Sequence, residues 1–354
     1  MTDATSGSPP ERALTWWTAG IAAAVFVVSI GTPLLGLRVF HGTDLLLDRT
    51  PWRVTPPADV QASNPVVQDT VSTFMPLHAE VRRRLLGGDF PMWTALPAGG
   101  LPLGTVPDEG TFGPLNLPYR VVPLWYAPGL AKLLELGVAA GFTFLFLRRL
   151  GMGRPAAVLG GLMFAMSGFQ VVWTNWPQSH VGALIPALFW AVERAVQERG
   201  LRHALPVAVV VAAMVFEGFP SVAGYALVAV AAYAVVRLAA SKGMGRADRV
   251  RVGGGLVVAI VLGLGLTAFQ ALPLAERAGQ LDLDYRIQGP DSHLPPATAA
   301  TLAVPNAFGS PVDRSYFGPL NYVEIQAFAG ASSLVLIAAA AAWSTARPVP
   351  RGSR

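Results

Sequence analysis

The sequence predicts an all-α fold, a polytopic transmembrane bundle of about eight helices with a long first extracytoplasmic loop, and three observations predict it. Only 13% of the 354 residues are charged while 53% are hydrophobic, whereas an ordinary soluble domain is roughly 25% charged. Several runs of 18 to 25 residues hold no charged side chain, enough helix to cross a hydrocarbon layer about 30 Å thick. The basic residues gather between those runs and not inside them. The chain has no cysteine, so disulfides, thiolate nucleophiles and cysteine-ligated metal centres are excluded.

Apolar runs occupy residues 14–38, 128–147, 155–174, 181–196, 204–218, 220–238, 253–274 and 325–343. Taken as one integral-membrane domain over 1–354, they leave an outer loop at 39–127, a second at 275–324 and a cytoplasmic tail at 344–354. The first run is long for a signal-peptide core and no small-residue cleavage site follows it, so it is expected to stay as a helix. With the N-terminus inside, the cytoplasmic segments hold 15 basic residues, among them Arg148, Arg149, Arg154, Arg246, Arg249 and Arg251, against five acidic ones. The opposite side then holds 11 basic and 16 acidic residues. This asymmetry places both termini in the cytoplasm and accounts for the net charge of +5 with no nucleic-acid partner.

Every inner loop is short and both long segments face outward, so function is expected there. In the first of them Pro91, Pro97, Pro102, Pro107 and Pro114, with Gly99, Gly100, Gly104 and Gly110, interrupt regular structure. Trp93, Phe112, Tyr119, Trp125 and Tyr126 are too many aromatics for a disordered linker. An ordered, irregular cap on the membrane surface is expected. Ahead of it, residues 69–88 scan as an interfacial amphipathic helix. Val71, Phe74, Val81 and Leu85 share one face, while Asp69, Thr73, Glu80, Arg83 and Arg84 share the other. Asp69 at the start suits an N-cap, with a catalytic carboxylate as the competing reading. Arg82, Arg83 and Arg84 on the outer side suit either lipid headgroups or a phosphate-bearing substrate.

A second group of candidates lies in SGFQVVWTNWPQSH, residues 167–180, between the third and fourth runs. Trp173 and Trp176 fit an interfacial aromatic belt. Asn175, Gln178 and His180 converge beside them, and flat aromatics next to amide and imidazole groups suit a sugar face or a pyrophosphate-like headgroup. Glu217 in the tight turn EGFPS, with Gln270 and Glu276 at the outer end of the seventh run, are candidates because polar groups at such depths are commonly functional. Arg286 is a second candidate phosphate ligand. Lys132 and Glu135, one helical turn apart, are expected to be a snorkelling pair. No P-loop, dinucleotide fingerprint, metalloprotease helix or nucleophile elbow occurs in the sequence.

The order of these features resembles the YfhO-like bacterial membrane proteins, which look like the GT-C superfamily of lipid-phosphate-sugar glycosyltransferases. The resemblance rests on LLGGDFPMW and GPLNLPYRVVPLW in the first loop, FLRRLGMGRPAAVLGGLMFAMSGF at 146–169, WTNWPQSHVGALIPALF at 173–189, GFPS at 218–221, QALPLAERA at 270–278 and VEIQAFAG at 323–330. It implies a GT-C-like fold in the bacterial cytoplasmic (inner) membrane. It also implies a polyprenyl-phosphate-linked sugar donor and an envelope glycopolymer or lipid acceptor on the outer face. The family's first-loop acidic residue falls on Asp69, as catalytic base or as ligand of a divalent cation such as Mg or Mn. Arg84, Trp176, Gln178, His180, Glu217 and Arg286 become the expected substrate contacts. Family members are usually much longer, so the chain is expected to correspond to an N-terminal half or to a minimal member. The rival expectations are a flippase or transporter of lipid-linked sugars and a noncatalytic assembly protein.

Overall fold

The structure is a computed structural model that describes residues 9–54, 64–96, 99–105, 110–279 and 293–346. Among the described residues the chain is helical, and strand pairing is limited to one isolated bridge between Thr94 and Leu101. The long helices are α1 (Pro9–Leu34), α4 (Ala127–Arg149), α7 (Pro177–Glu198), α8 (Leu201–Phe216), α9 (Pro220–Ala240), α10 (Arg246–Leu266) and α12 (Ala331–Ala346). Shorter ones are α2 (Met75–Leu86), α3 (Pro118–Val121), α5 (Arg154–Ala165), α6 (Gly168–Val172) and α11 (Ala268–Ala278). Three of them, α4, α9 and α10, are long and apolar enough to cross a membrane. Tyr225, Val228, Val235 and Val236 of α9 and Val257, Val258 and Val261 of α10 stand exposed on their outer faces, an apolar surface that suits a bilayer.

Two of the eight apolar runs are not single helices. The run at 155–174 breaks between α5 and α6, where the Gly168 N–H leaves its own helical ladder and donates to the carbonyl of Phe328 at 2.7 Å. Glycine suits this approach, since a Cβ there would lie 3.0 Å from the Phe328 nitrogen and push the neighbouring backbone away. The run at 253–274 breaks at Thr267 between α10 and α11. The last run, expected from residue 325, becomes helical only at Ala331.

Helix α7 is the axis of the bundle and packs against α4, α8, α9 and α10. Its contacts are small: Ala187, Ala191 and Ala195 meet Val207, Ala208 and Val211 of α8, Ala226 and Val230 of α9, and Ala259 of α10. Small side chains let helix backbones approach where lipid supplies no hydrophobic drive. A second cluster joins Ile30 of α1, Leu136 and Ala139 of α4, Ala165 of α5 and Ala183 of α7 to Leu115 of the first loop. At the arginine-rich end the fully buried Glu193 of α7 accepts hydrogen bonds from Arg237 Nε and Tyr233 of α9, each at 2.7 Å. Glu198 pairs there with Arg149 of α4 at 2.7 Å and with Arg194 at 3.1 Å.

The amphipathic helix of the first loop forms, with a different phase from the one expected. Its start is set upstream by Asn64, whose side chain accepts the Val66 N–H at 3.2 Å, with Pro65 in the first helical position. Asp69 is therefore not the cap: it has right-handed helical backbone angles, makes no capping hydrogen bond and is exposed. A π turn at Thr70–Phe74 precedes α2. The wider turn rotates all that follows relative to a 100° wheel. Val71, Phe74 and Val81 are buried as expected, but Glu80 joins them at 4% exposure and Leu85 is 44% exposed.

The close helix contacts yield a test. In α5, a Cβ on Gly161 would come 2.7 Å from the Ala140 carbonyl oxygen of α4. Gly161→Leu is expected to cost about 1–3 kcal/mol by overpacking, seen as a lower thermal midpoint of the purified protein, whereas Gly141→Leu, at an open position, should leave it unchanged.

Candidate functional site

Four segments bring polar side chains together beneath the first loop. In the WTNWP stretch Asn175 takes left-handed angles (φ 65°), which asparagine tolerates better than most residues. Pro177 then occupies the first position of α7, so Gln178, Ser179 and His180 fill its opening turns. In the EGFP turn, Gly218 and Phe219 are both left-handed (φ 84° and 49°). A bulky residue there is strained, and the turn sets Glu217 at the end of α8 against the first loop. Helix α4 contributes Lys132 and Glu135, and the GPLN segment contributes Leu115 and Asn116.

All of these charges are withdrawn from solvent: Glu135 and Glu217 are 0% exposed, His180 4% and Lys132 5%. Lys132 Nζ donates to Glu135 Oε1 at 2.5 Å and to the Gln170 carbonyl at 2.6 Å. Glu135 Oε2 accepts from Ser179 Oγ at 2.8 Å and lies 3.5 Å from His180 Nε2. On the other side of the ring, His180 Nδ1 is 3.3 Å from Glu217 Oε2 without an aligned hydrogen bond. Glu217 itself accepts the Leu115 N–H at 2.6 Å and the Asn116 side-chain amide at 3.1 Å. The imidazole thus stands between two buried carboxylates. It lines a cavity of about 10 Å³, at the limit of what one water needs, with Phe74, His78, Asn116, Asn175 and Pro177. Asn116 Oδ1, Trp176 Nε1, Gln178 Oε1 and His180 Nδ1 are buried here without hydrogen-bond partners, and each such atom costs about 1–3 kcal/mol.

The loop side of the cavity is held by a second network. Arg120 donates to the His78 carbonyl and to the Thr111 carbonyl, each at 3.1 Å. The His78 ring stacks on Tyr119 with centroids 4.0 Å apart. Burial first, and then the Arg120 guanidinium, push His78 well below its ordinary value near 6.5. Burial also lowers Arg120 to about 10, which leaves it cationic at neutral pH. Glu80 receives Arg83 at 2.7 and 2.8 Å and Arg84 Nε at 2.8 Å. The hydrogen bond from Arg83, assisted by that from Arg84, outweighs burial and holds its carboxyl at about 2.

The structure unites Gln178, His180 and Glu217 in one place, with Trp176 at its edge packed on Trp173 and Phe74 at centroid distances of 5.2 and 5.5 Å. Asp69 stands apart on the exposed side of the π turn, on the segment whose Phe74 and His78 reach the cavity. Arg84 is engaged by Glu80. Arg286 lies outside the described residues. Gln270 is buried and Glu276 exposed, and neither lines this cavity. Lys132 and Glu135 do not snorkel: both are buried, because α4 packs on α7 and turns this pair inward. Asn116, Arg120, His78 and Ser179 were not singled out from the sequence. Two charged residues inside an apolar run were the available signal for the α4 pair. No protein family, curated protein or solved structure matches the chain.

Two outcomes follow from this geometry. Glu217→Ala removes the acceptor for the Leu115 N–H and should destabilise the protein by about 3 kcal/mol or more, with faster proteolytic cleavage of the first loop as the direct reading. The second concerns pH. Folded His78 stays neutral while the unfolded chain binds a proton near 6.5, so its contribution to stability is full above about pH 6.5 and declines as pH falls below it. His78→Phe keeps a ring on Tyr119 and should flatten the fall in thermal midpoint between about pH 6.5 and 4.5. Glu80 adds its own loss only at lower pH, from about 4.5 toward 2.

Proposed function

We propose that the chain is a membrane glycosyltransferase of the GT-C type. It transfers a sugar from a polyprenyl-phosphate donor to an envelope glycopolymer or lipid on the outer face of a bacterial cytoplasmic membrane, with about eight crossing segments and both termini inside. One observation carries the reading. Among the described residues every buried ionisable Asp, Glu, His or Lys side chain except Glu193 (His78, Glu80, Lys132, Glu135, His180 and Glu217) lies at the loop end of the bundle. Unpartnered polar atoms accumulate at the same end. Between His180 and Glu193, about 20 Å apart along α7, Val181, Leu184, Ala187, Leu188 and Ala191 are buried and apolar. Such a stretch offers no polar path across the bundle and supports chemistry at one face over transport.

In this reading the acceptor hydroxyl attacks the anomeric carbon. The bond from that carbon to the lipid phosphate breaks, the hydroxyl proton passes to the Asp69 carboxylate, and the lipid phosphate leaves as an anion. Arg84 and Arg286 are the proposed phosphate contacts, and Trp176, Gln178, His180 and Glu217 the sugar-side contacts. The cavity, about 10 Å³, has room for about one water and none for a sugar. Substrate entry therefore needs the first loop to shift, and Glu217 is the contact that must yield. A divalent cation at Asp69 does not fit the residues present: among the described residues no three His, Asp or Glu side chains converge as a ligand set, so no step is assigned to a metal.

Asp69→Asn tests the reading. Transfer to envelope glycan is expected to fall about 100-fold or more while the protein accumulates in the membrane as before. Unchanged glycan levels in a strain that depends on this variant would overturn it.

A further inference from the structure

The loop end of the bundle carries an apolar surface that the bundle does not cover. Helix α2 closes in a Schellman turn: Gly88 is left-handed (φ 80°), its N–H donates to the Leu85 carbonyl at 3.2 Å, and the Asp89 N–H reaches the Arg84 carbonyl at 2.9 Å. Around this turn Leu86 is 75% exposed, Phe90 61% exposed, and Trp93 is exposed as well. The Phe90 ring nevertheless has a fixed place, with its centroid 5.2 Å from that of Phe112 and 6.2 Å from that of Phe269 at the start of α11. Phe269 and Leu272 are themselves exposed, so the apolar outer face of α10 continues through α11 to the end of α2.

Depth decides what meets this surface. Arg251 is the last charged residue of α10, and Leu266 ends the helix. That stretch rises about 22 Å, less than the roughly 30 Å of a hydrocarbon layer. Phe269 follows within one turn, so it and the Phe90 ring against it fall inside the outer edge of the layer that α10 crosses. We infer that the end of α2 and the turn after it, residues 85–93, anchor the first loop in the outer leaflet, with Leu86 and Phe90 entering the lipid. The anchor is not the amphipathic face expected of 69–88, since Val71, Phe74 and Val81 are spent on the bundle. The N–H groups of Gly87, Gly88 and Asp89 are already paired, so contact with lipid strands none of them. Arg83, with 67% of its side chain exposed, and the exposed Asp89 flank Leu86 and hold the anchor at the boundary between headgroups and acyl chains. The inference rests on α10 as a membrane crossing and not on sugar transfer.

The chain has no cysteine, so single-cysteine variants of the full chain can each carry one spin label. They are reconstituted in vesicles of phosphatidylcholine and phosphatidylglycerol. Label depth is read by electron paramagnetic resonance from accessibility to oxygen, which partitions into lipid, and to a nickel chelate, which stays in water. Val258→Cys on the exposed face of α10 is the bilayer reference, and Thr73→Cys, exposed on the π turn, is the aqueous one. Labels in Leu86→Cys and Phe90→Cys are expected about 5–10 Å below the phosphates. Leu86→Cys is the variant least exposed to misfolding, because the side chain it replaces stands mostly clear of the bundle. A label in Leu86→Cys as open to the nickel chelate as that in Thr73→Cys, with Val258→Cys in the bilayer, would overturn the anchor. So would protection of Leu86→Cys from both reagents, the mark of a protein partner on this surface. Thr73→Cys at the same depth as Leu86→Cys would lay the whole helix flat in the interface, and Val258→Cys in water would remove the crossing; either also overturns the inference.

Discussion

A carboxylate with no access to water has to be met by donors, and at Glu217 those donors come from the loop that covers it. The Leu115 N–H and the Asn116 amide reach down from the first loop, and the His180 ring faces the same carboxylate from α7. Glycine at 110 and 113 is required by the same contact, since a Cβ on Gly113 would overlap the Glu217 carboxylate and one on Gly110 would lie 2.6 Å from its carbonyl oxygen. The Asn175 amide adds a second tie, donating to the Phe40 carbonyl of the same loop at 3.0 Å. An aromatic clamp of Phe90 and Phe112 from the loop against Phe216 and Phe269 supplies adhesion beside it, but ring packing alone tolerates sliding that a two-donor carboxylate does not.

The polar interior is divided along α7. One end of this helix holds His180 between Glu135 and Glu217, and the other holds Glu193 beneath Arg237 and Tyr233. The intervening turns carry no charge, and their buried alanine, valine and leucine side chains cluster with small residues on α8, α9 and α10. Burying charges at both ends and none between gives the helix two fixed points and an apolar middle that lipid-facing neighbours can approach closely. Electrostatic specificity is therefore confined to the two faces, where water or headgroups can assist the remaining polar atoms.

Much of the helical content was legible because apolar runs, prolines at helix starts and glycines in turns act locally. Pro220 begins α9 where the apolar run at 220–238 starts, whereas Pro177 begins α7 four residues ahead of the run expected at 181–196. The breaks at Ser167 and Thr267 were not legible, since the first depends on the Phe328 carbonyl from a segment 160 residues away. The phase of α2 was hidden for a related reason: a π turn shifts the wheel, and nothing in the composition of 69–88 announces it. Gln178, His180 and Glu217 could be picked out because isolated polar residues near the ends of apolar runs are conspicuous. Asn116 and Arg120 could not, because in an irregular loop nothing local tells a buried polar side chain from a solvated one.

The sequence by itself determined that the protein is a helical one built largely of apolar runs, with its polar candidates at the ends of those runs, because hydropathy and turn chemistry depend only on neighbours along the chain. It also identified His180 and Glu217 as residues of interest. Only the tertiary structure decided that Glu135 and Lys132 face inward, that Asp69 faces outward, and that Glu217 takes its donors from residues a hundred positions earlier. The direction of a side chain is set by what packs against its helix, and those contacts join segments that no local pattern connects.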